Sequence, residues 1–226
     1  MEPSDILRIR GSGVRHHVIR DASELYLIDT GFIGGIRQLE QALTARGWRH
    51  LPIRGILLTH GHLDHILNVA RLAAQYDAWI AAPEADLAHY EGKARYHGMS
   101  RIAGALEAVG KPLLGFHTFT PNRLINDGDQ IEIGSGLRVV QLPGHTAGHC
   151  GFLNEASGLL FCGDLFASFD RFSHLPPTIF NQDNHQARAS LTKALDLPLT
   201  GVLPNHGDMA PSGVHLKRMR KLAERL

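Results

Sequence analysis

Thr59-His60-Gly61-His62-Leu63-Asp64-His65 follows directly on the apolar stretch Ile53 to Leu58. It places three histidines and a carboxylate within seven residues at the exit of a buried strand. His60 and His62, two residues apart on a segment leaving a strand, point to the same side and can share an ion. Asp64 and His65 come as the chain turns into a helix, which lets them face a second ion nearby. Gly61 leaves the backbone free to pack closely. One isolated histidine is ordinarily solvent-exposed or structurally hydrogen-bonded. Four adjacent ligand types after a buried strand point to metal instead, most simply zinc, with iron or manganese also compatible.

The rest of the chain supplies more ligands. His145 stands in Leu142-Pro143-Gly144-His145-Thr146-Ala147-Gly148-His149, where proline and glycines shape a tight loop, and it is assigned as the third histidine on the first metal. His149 is a candidate donor behind the ligands, or else a packed or capping histidine. Asp164 ends the apolar run Leu159 to Cys162, a costly place for a carboxylate unless it is paired or metal-bound; its two oxygens suit a bridge between cations. His206, in Pro204-Asn205-His206-Gly207, completes the second metal. Asp29, at another strand end, is expected to orient a ligand histidine or, alternatively, to cap a helix. Two divalent cations sharing a water would hold it as a bridging hydroxide and polarise a substrate oxygen. Asp64 and Asp164 are then the catalytic carboxylates, and no serine or cysteine nucleophile is required.

The bulk properties set limits. The 226 residues, 43% hydrophobic and 20% charged with net charge +1, suit an ordinary globular chain that can form one domain over 1–226. No arginine-lysine stripe speaks for nucleic acid. The basic run Lys217 to Lys221 suits the last turns of a helix. The polar N-terminus and the lack of a long apolar run speak against a leader or membrane span, so a cytoplasmic location is expected. The two cysteines, Cys150 and Cys162, lie in apolar runs and are expected to be buried thiols, with a lesser alternative that one lines the metal pocket. Histidine, at fifteen, is the outlier.

Strands are expected over 5–10, 14–20, 24–28, 53–58, 79–82, 123–126, 130–133, 137–141, 150–153, 159–162 and 201–203, and helices over 39–46, 64–76, 83–90, 99–109, 184–194 and 214–226. Asp127-Gly128-Asp129 between apolar alternations signals a hairpin, and 166–182 reads as an irregular loop. Strand-rich stretches with helices in both halves give an α+β class: a four-layer αββα sandwich of two mixed β-sheets with outer helices.

With these residues in place the chain resembles the metallo-β-lactamase fold superfamily. The His-x-His-x-Asp-His run at 60 to 65 matches its signature, Asp29-Thr30-Gly31 its first motif, and His145, Asp164 and His206 the later ones, covering roughly 14 to 210. The resemblance implies His60, His62 and His145 on one metal, Asp64, His65 and His206 on the other, and Asp164 between. A histidine at 145 and an aspartate at 164 are more similar to the glyoxalase II-like and lactonase-like branch than to zinc β-lactamases. About twenty residues follow His206, whereas glyoxalase II carries a C-terminal helical domain that grips glutathione.

The expected activity is therefore a metal-dependent hydrolase of an ester, thioester or lactone in a small molecule. The alternatives are a mononuclear iron persulfide dioxygenase-like enzyme, a phosphodiesterase and a non-catalytic metal-binding protein. Phe166, Phe169, Phe172 and Phe180 are expected to wall the substrate pocket; the same loop could instead bury a homodimer contact or fold back on the core. Arg171 is a candidate anion-steering residue, and Tyr90, Tyr96 and His97 are candidates to approach the metals from another side.

Overall fold

The computed structural model describes residues 5–226; the polar start read for Met1 to Ser4 lies outside them. Strands β1 (Ile6–Arg10), β2 (Arg15–Asp21), β3 (Glu24–Ile28), β4 (Ile53–Leu57), β5 (Trp79–Pro83) and β6 (Arg123–Ile125) form one sheet in that spatial order. Its first three strands pair antiparallel and the rest parallel. The second sheet runs in the order β13 (Gly201–Pro204), β10 (Leu159–Gly163), β9 (Cys150–Asn154), β8 (Leu137–Gln141) and β7 (Gln130–Ile131). Only its β10–β13 pair is parallel.

Side-chain alternation explains the layering. In β3, Leu25 and Leu27 pack outward with Leu39 and Leu43 of α1 (Gly35–Arg46) and with Val69 and Leu72 of α3 (Val69–Tyr76). Tyr26 and Ile28 of the same strand face inward, onto Val139, Phe152, Phe161 and Leu203 of the second sheet. Leu153, Leu160 and Cys162 then face outward again, against Leu191 of α6 (Asn184–Leu195) and Leu216 and Met219 of α7 (Ser212–Ala223). Strands covered on both faces read as near-continuous apolar runs, and the result is the four-layer αββα sandwich. Among the described residues no helix is long and apolar enough to cross a membrane.

Three local expectations are corrected. Asp127-Gly128-Asp129 closes no hairpin. It carries the chain from β6 in one sheet to β7 in the other, held by Gly128 N–H donating to Val139 O (2.9 Å) and Val139 N–H to Asp129 O (2.8 Å). The helix expected over 64–76 is two, α2 (Leu63–Ile66) and α3, because the Asn68 amide at the break donates to the carbonyls of Thr30, Gly31 and Phe32. The loop at 166–182 contains a ribbon, β11 (Ala167–Ser168) against β12 (Ser173–His174), before Asp183 caps α6 by accepting from the His185 and Gln186 N–H groups. The remaining helices are α4 (Leu87–Tyr90) and α5 (Arg101–Leu113).

Candidate metal centre

The parallel strands β3, β4 and β5 end at one rim of the first sheet, and β10 and β13 end at the facing rim of the second. Site residues follow these ends: Asp29 after β3, Thr59 to His65 after β4, Asp86 after β5, Asp164 after β10, Asn205 and His206 after β13. His145 and His149 come from the turn between β8 and β9. Ligands at the carboxyl ends of parallel strands are the rule for open α/β layers.

Two clusters result. His60, His62 and His145 offer ring nitrogens, and Asp64, His65, Asp164 and His206 offer nitrogens and carboxylate oxygens, each set within 4.8 Å. Asp164 lies between them. Its Oδ2 is 3.3 Å from His145 Nε2, 4.0 Å from His60 Nε2 and 3.1 Å from His206 Nε2, while its Oδ1 is 3.3 Å from His65 Nε2. Asp64 Oδ2 lies 3.5 Å from His65 Nε2 and 3.4 Å from His206 Nε2.

The far side of each ring decides which nitrogen faces the site. Thr59 Oγ1 donates to Asp29 Oδ2 (2.7 Å), so it can only accept from His60 Nδ1 at 3.0 Å. His65 Nδ1 donates to Asp29 Oδ2 (3.0 Å), His145 Nδ1 to Asn181 Oδ1 (2.9 Å) and His206 Nδ1 to Gly13 O (2.8 Å). Each Nε2 therefore points inward, the arrangement ligand histidines require. His60 Nε2, His65 Nε2 and Asp164 Oδ1 are buried without a hydrogen-bond partner, and His62 Nδ1 lies 2.9 Å from His145 Nε2. Buried ligand atoms converging without partners fit divalent cations, one at each cluster.

Electrostatics divides the two clusters. Burial, with His65 as the next cause for His60 and His145 for His62, pushes both imidazoles well below the usual histidine range, so they are neutral donors. Burial also opposes protonation of His206, but Asp164 and Asp64 outweigh it and raise it to about 10. His65 is raised likewise by Asp164, Asp64 and Asp29 against burial. The carboxylate-rich cluster thus attracts positive charge, first protons and then cations. Burial drives His149 down to about 3. Its Nδ1 donates to Leu142 O (2.8 Å) and its Nε2 accepts from the Asp164 N–H (3.0 Å), which ties the loop before it to the central aspartate.

Asp29 occupies the left-handed region (φ 58) and also takes the Asn205 amide at 2.7 Å and the Thr59 N–H at 2.8 Å. Strain of this kind clusters at functional sites. Sequence reasoning missed Asp86. Fully buried, it accepts from Gly61 N–H (2.8 Å), Thr146 Oγ1 (2.6 Å) and Gly148 N–H (2.7 Å), joining the loop of His60 and His62 to that of His145. Its position just past a buried parallel strand, like that of Asp29, was the available signal. Asn181, the orienting partner of His145, sits in the loop that carried no pattern.

A cavity of about 600 Å³ opens onto both clusters. Phe166, Phe169 and Phe180 line it together with residues of α5. Phe172 does not: it is 56% exposed, stacks on His174 and lies tilted against Phe169 instead, because the β11–β12 ribbon turns it outward. Arg171 is exposed outside the lining and Asp170 faces Arg218. Tyr96 stacks near His62 with centroids 6.4 Å apart, whereas Tyr90 is buried in the outer core and His97 lies exposed before α5. Cys150 and Cys162 are buried free thiols outside the cavity lining.

A two-sheet sandwich with paired His/Asp clusters at its rim defines a class, and the chain belongs to it: the model of the metallo-beta-lactamase superfamily matches residues 15–206. Within that superfamily it is 34% identical over 149 residues to a hydroxyacylglutathione hydrolase of Vibrio cholerae, a match covering 66% of this chain and 45% of that protein. It spans about half the length of that protein and of the hydroxyacylglutathione hydrolase of Hahella chejuensis. A metallo-beta-lactamase family protein from Thermus thermophilus has the same fold, with a TM-score of 0.75 at 21% identity over 98% of this chain and 79% of the other. A protein crystallised in a di-iron-bound form matches with a TM-score of 0.66 at 25% identity, over 93% and 96% of the two chains.

Proposed function

We propose that the protein is a dinuclear metal-dependent hydrolase of an ester, thioester or lactone carbonyl in a small molecule. The observation that carries this reading is the pair of ligand sets around Asp164, open to one apolar cavity. Divalent cations held there would activate water as a nucleophile and polarise the substrate carbonyl. The protein's own part is to fix the inward-facing ring and carboxylate groups and to exclude bulk water behind them. Asp64, 31% exposed at its side chain against 6% for Asp164, is the carboxylate within reach of substrate. Its Oδ2 would orient the attacking water, take the proton that water gives up and hand it to the leaving group. Asp164, lying between the clusters, fixes their separation.

The hydrolase names of the relatives support this class. Zinc suits the donor set, and the di-iron form of one structural relative makes iron the competing metal. A mononuclear iron persulfide dioxygenase would use one cation with the same histidines present, and the hydrolase names of the relatives favour the hydrolase over it.

Elemental analysis of protein purified without added metal, followed by acyl, lactone, lactam and phosphoester panels, tests the reading. Two metals per chain and hydrolysis lost in Asp164→Ala and His60→Ala are expected. One iron per chain with oxygen uptake on persulfide would defeat it.

A further inference from the structure

Resting on that hydrolase reading, we infer that the cavity takes the acyl half of its substrate as an uncharged, apolar chain, and that α5 sets its length. Ala103, Leu106 and Gly110 of α5 form one wall, and Phe166, Phe169 and Phe180 contribute another. Among the described lining residues outside the two metal clusters, the ionisable side chains are Glu107 and His174, and neither is a fixed cation. The Glu107 carboxylate accepts from Leu63 N–H (3.1 Å) and pairs with Lys111 Nζ at 3.0 Å. That lysine is therefore already engaged, and an anionic tail would meet a carboxylate. His174 Nδ1 is taken up by Leu175 O at 2.7 Å. A peptide-like substrate with free carboxylates finds no counter-ion on these walls, while an alkyl or aryl acyl group finds apolar surface throughout.

The wall also has a direction. Glu107 and Gly110 meet Leu63, between the ligands His62 and Asp64, whereas Leu106 is 60% exposed, so the wall runs from the ligand loop out to the mouth. Beyond the mouth the apolar face continues along the same helix through Val109 and Leu113, both exposed. At Gly110 the helix approaches Leu63 closely: a Cβ there would stand 3.2 Å from Leu63 Cδ2. The helix carries no positive φ at this position, so a larger residue is compatible with its backbone and would narrow the cavity.

The test uses the metal-loaded full chain and N-acetylcysteamine thioesters from acetyl to decanoyl, with glutathione thioesters of the same acyl groups beside them. At about 0.8 kcal/mol per buried methylene, kcat/KM should rise up to about fourfold per carbon until the cavity is full. Leu106→Glu should cut the decanoyl-to-acetyl ratio at least tenfold, and Gly110→Leu should move the optimum to shorter chains. Calorimetric titration with decanamide, which needs no turnover, should show binding with a negative heat-capacity change that weakens in Leu106→Glu. Decanamide binding without any thioester, ester or lactone turnover would sink the hydrolase reading and leave the acyl site standing. Turnover with a flat chain-length profile, or a preference for glutathione thioesters, together with no decanamide binding, would overturn the acyl site and leave the hydrolase intact.

Discussion

Replacing Asp86 by asparagine tests whether the three-histidine cluster is assembled by a single buried carboxylate. One oxygen of Asp86 holds Gly61 N–H and Thr146 Oγ1, and the other holds Gly148 N–H. An asparagine oxygen can serve one of these sides; its NH2 group must then face a backbone N–H on the other. If the oxygen stays with Gly61 and Thr146, the Gly148 N–H is left buried against a second donor. Leaving one buried donor unmet costs about 1–3 kcal/mol. Because Gly61 sits between His60 and His62, and Gly148 follows His145 by three residues, the same rearrangement separates the rings. Loss of an orienting group of this kind lowers metal affinity by roughly 10–100-fold. Urea unfolding of chelated protein and chelator competition at each cluster measure the two effects separately. The expected result is a loss of about 2 kcal/mol and a selective weakening at His60, His62 and His145. Wild-type affinity at that cluster in Asp86→Asn would refute the reasoning, whatever happens to stability.

Acid should destabilise the chelated protein through His16, which burial, with His65 as the lesser cause, lowers to about 4. The folded state keeps this ring neutral while the unfolded chain binds a proton below about 6.5, so its stability contribution is full above that pH and is lost as pH falls towards 4. Between pH 7 and 5 the loss from this residue should be about 2 kcal/mol, and a pH-independent urea midpoint over that range would contradict it. With His206 raised to about 10 and His65 raised by the same carboxylates, the metal-free protein carries protons where a cation must enter. Calorimetry in buffers of different ionisation enthalpy should therefore show release of roughly two protons at neutral pH as that cluster fills; release of none would count against the ligand assignment. Chelation should lower the melting temperature with the logarithm of the free metal concentration, since each cation at 100-fold its Kd stabilises by about 2.7 kcal/mol.

The legible part of the chain is the part where pattern and chemistry coincide. Apolar runs such as Ile53 to Leu57 and Leu159 to Cys162 announce buried strands, and ligand-type residues at their ends announce a site. What was hidden depends on partners distant in sequence. Asp127-Gly128-Asp129 has the local chemistry of a hairpin, yet its backbone bonds to β8 send it between sheets. Asn68 gives no sign in sequence that its amide will break a helix by binding three carbonyls some 36 residues earlier. Asp86 binds Gly61 and Gly148, 25 and 62 residues away, and Asn181 orients His145 from a distance of 36 residues; no spacing rule connects them. Phe172 was indistinguishable from Phe169 until a two-residue ribbon set which one faces inward.

Neither cluster belongs to one sheet. His60, His62, Asp64 and His65 leave the first sheet, while His145, Asp164 and His206 leave the second. The fold could pack its inner apolar layer with small changes in sheet angle at little cost, because hydrophobic contact is non-directional. Ring and carboxylate ligands tolerate no such slack. The bonds that cross the seam therefore carry the precision: Asn205 to Asp29, His206 to Gly13, Cys150 N–H to Thr59 O and Arg15 N–H to Asn205 O. The apolar core brings the two rims together, these directional bonds set their register, and only then can Asp164 stand between two sets of ligands. A substitution that spares every ligand but removes a seam bond, such as Asn205→Ala, should therefore act on both clusters at once. That outcome distinguishes it from Asp86→Asn, whose effect is confined to one.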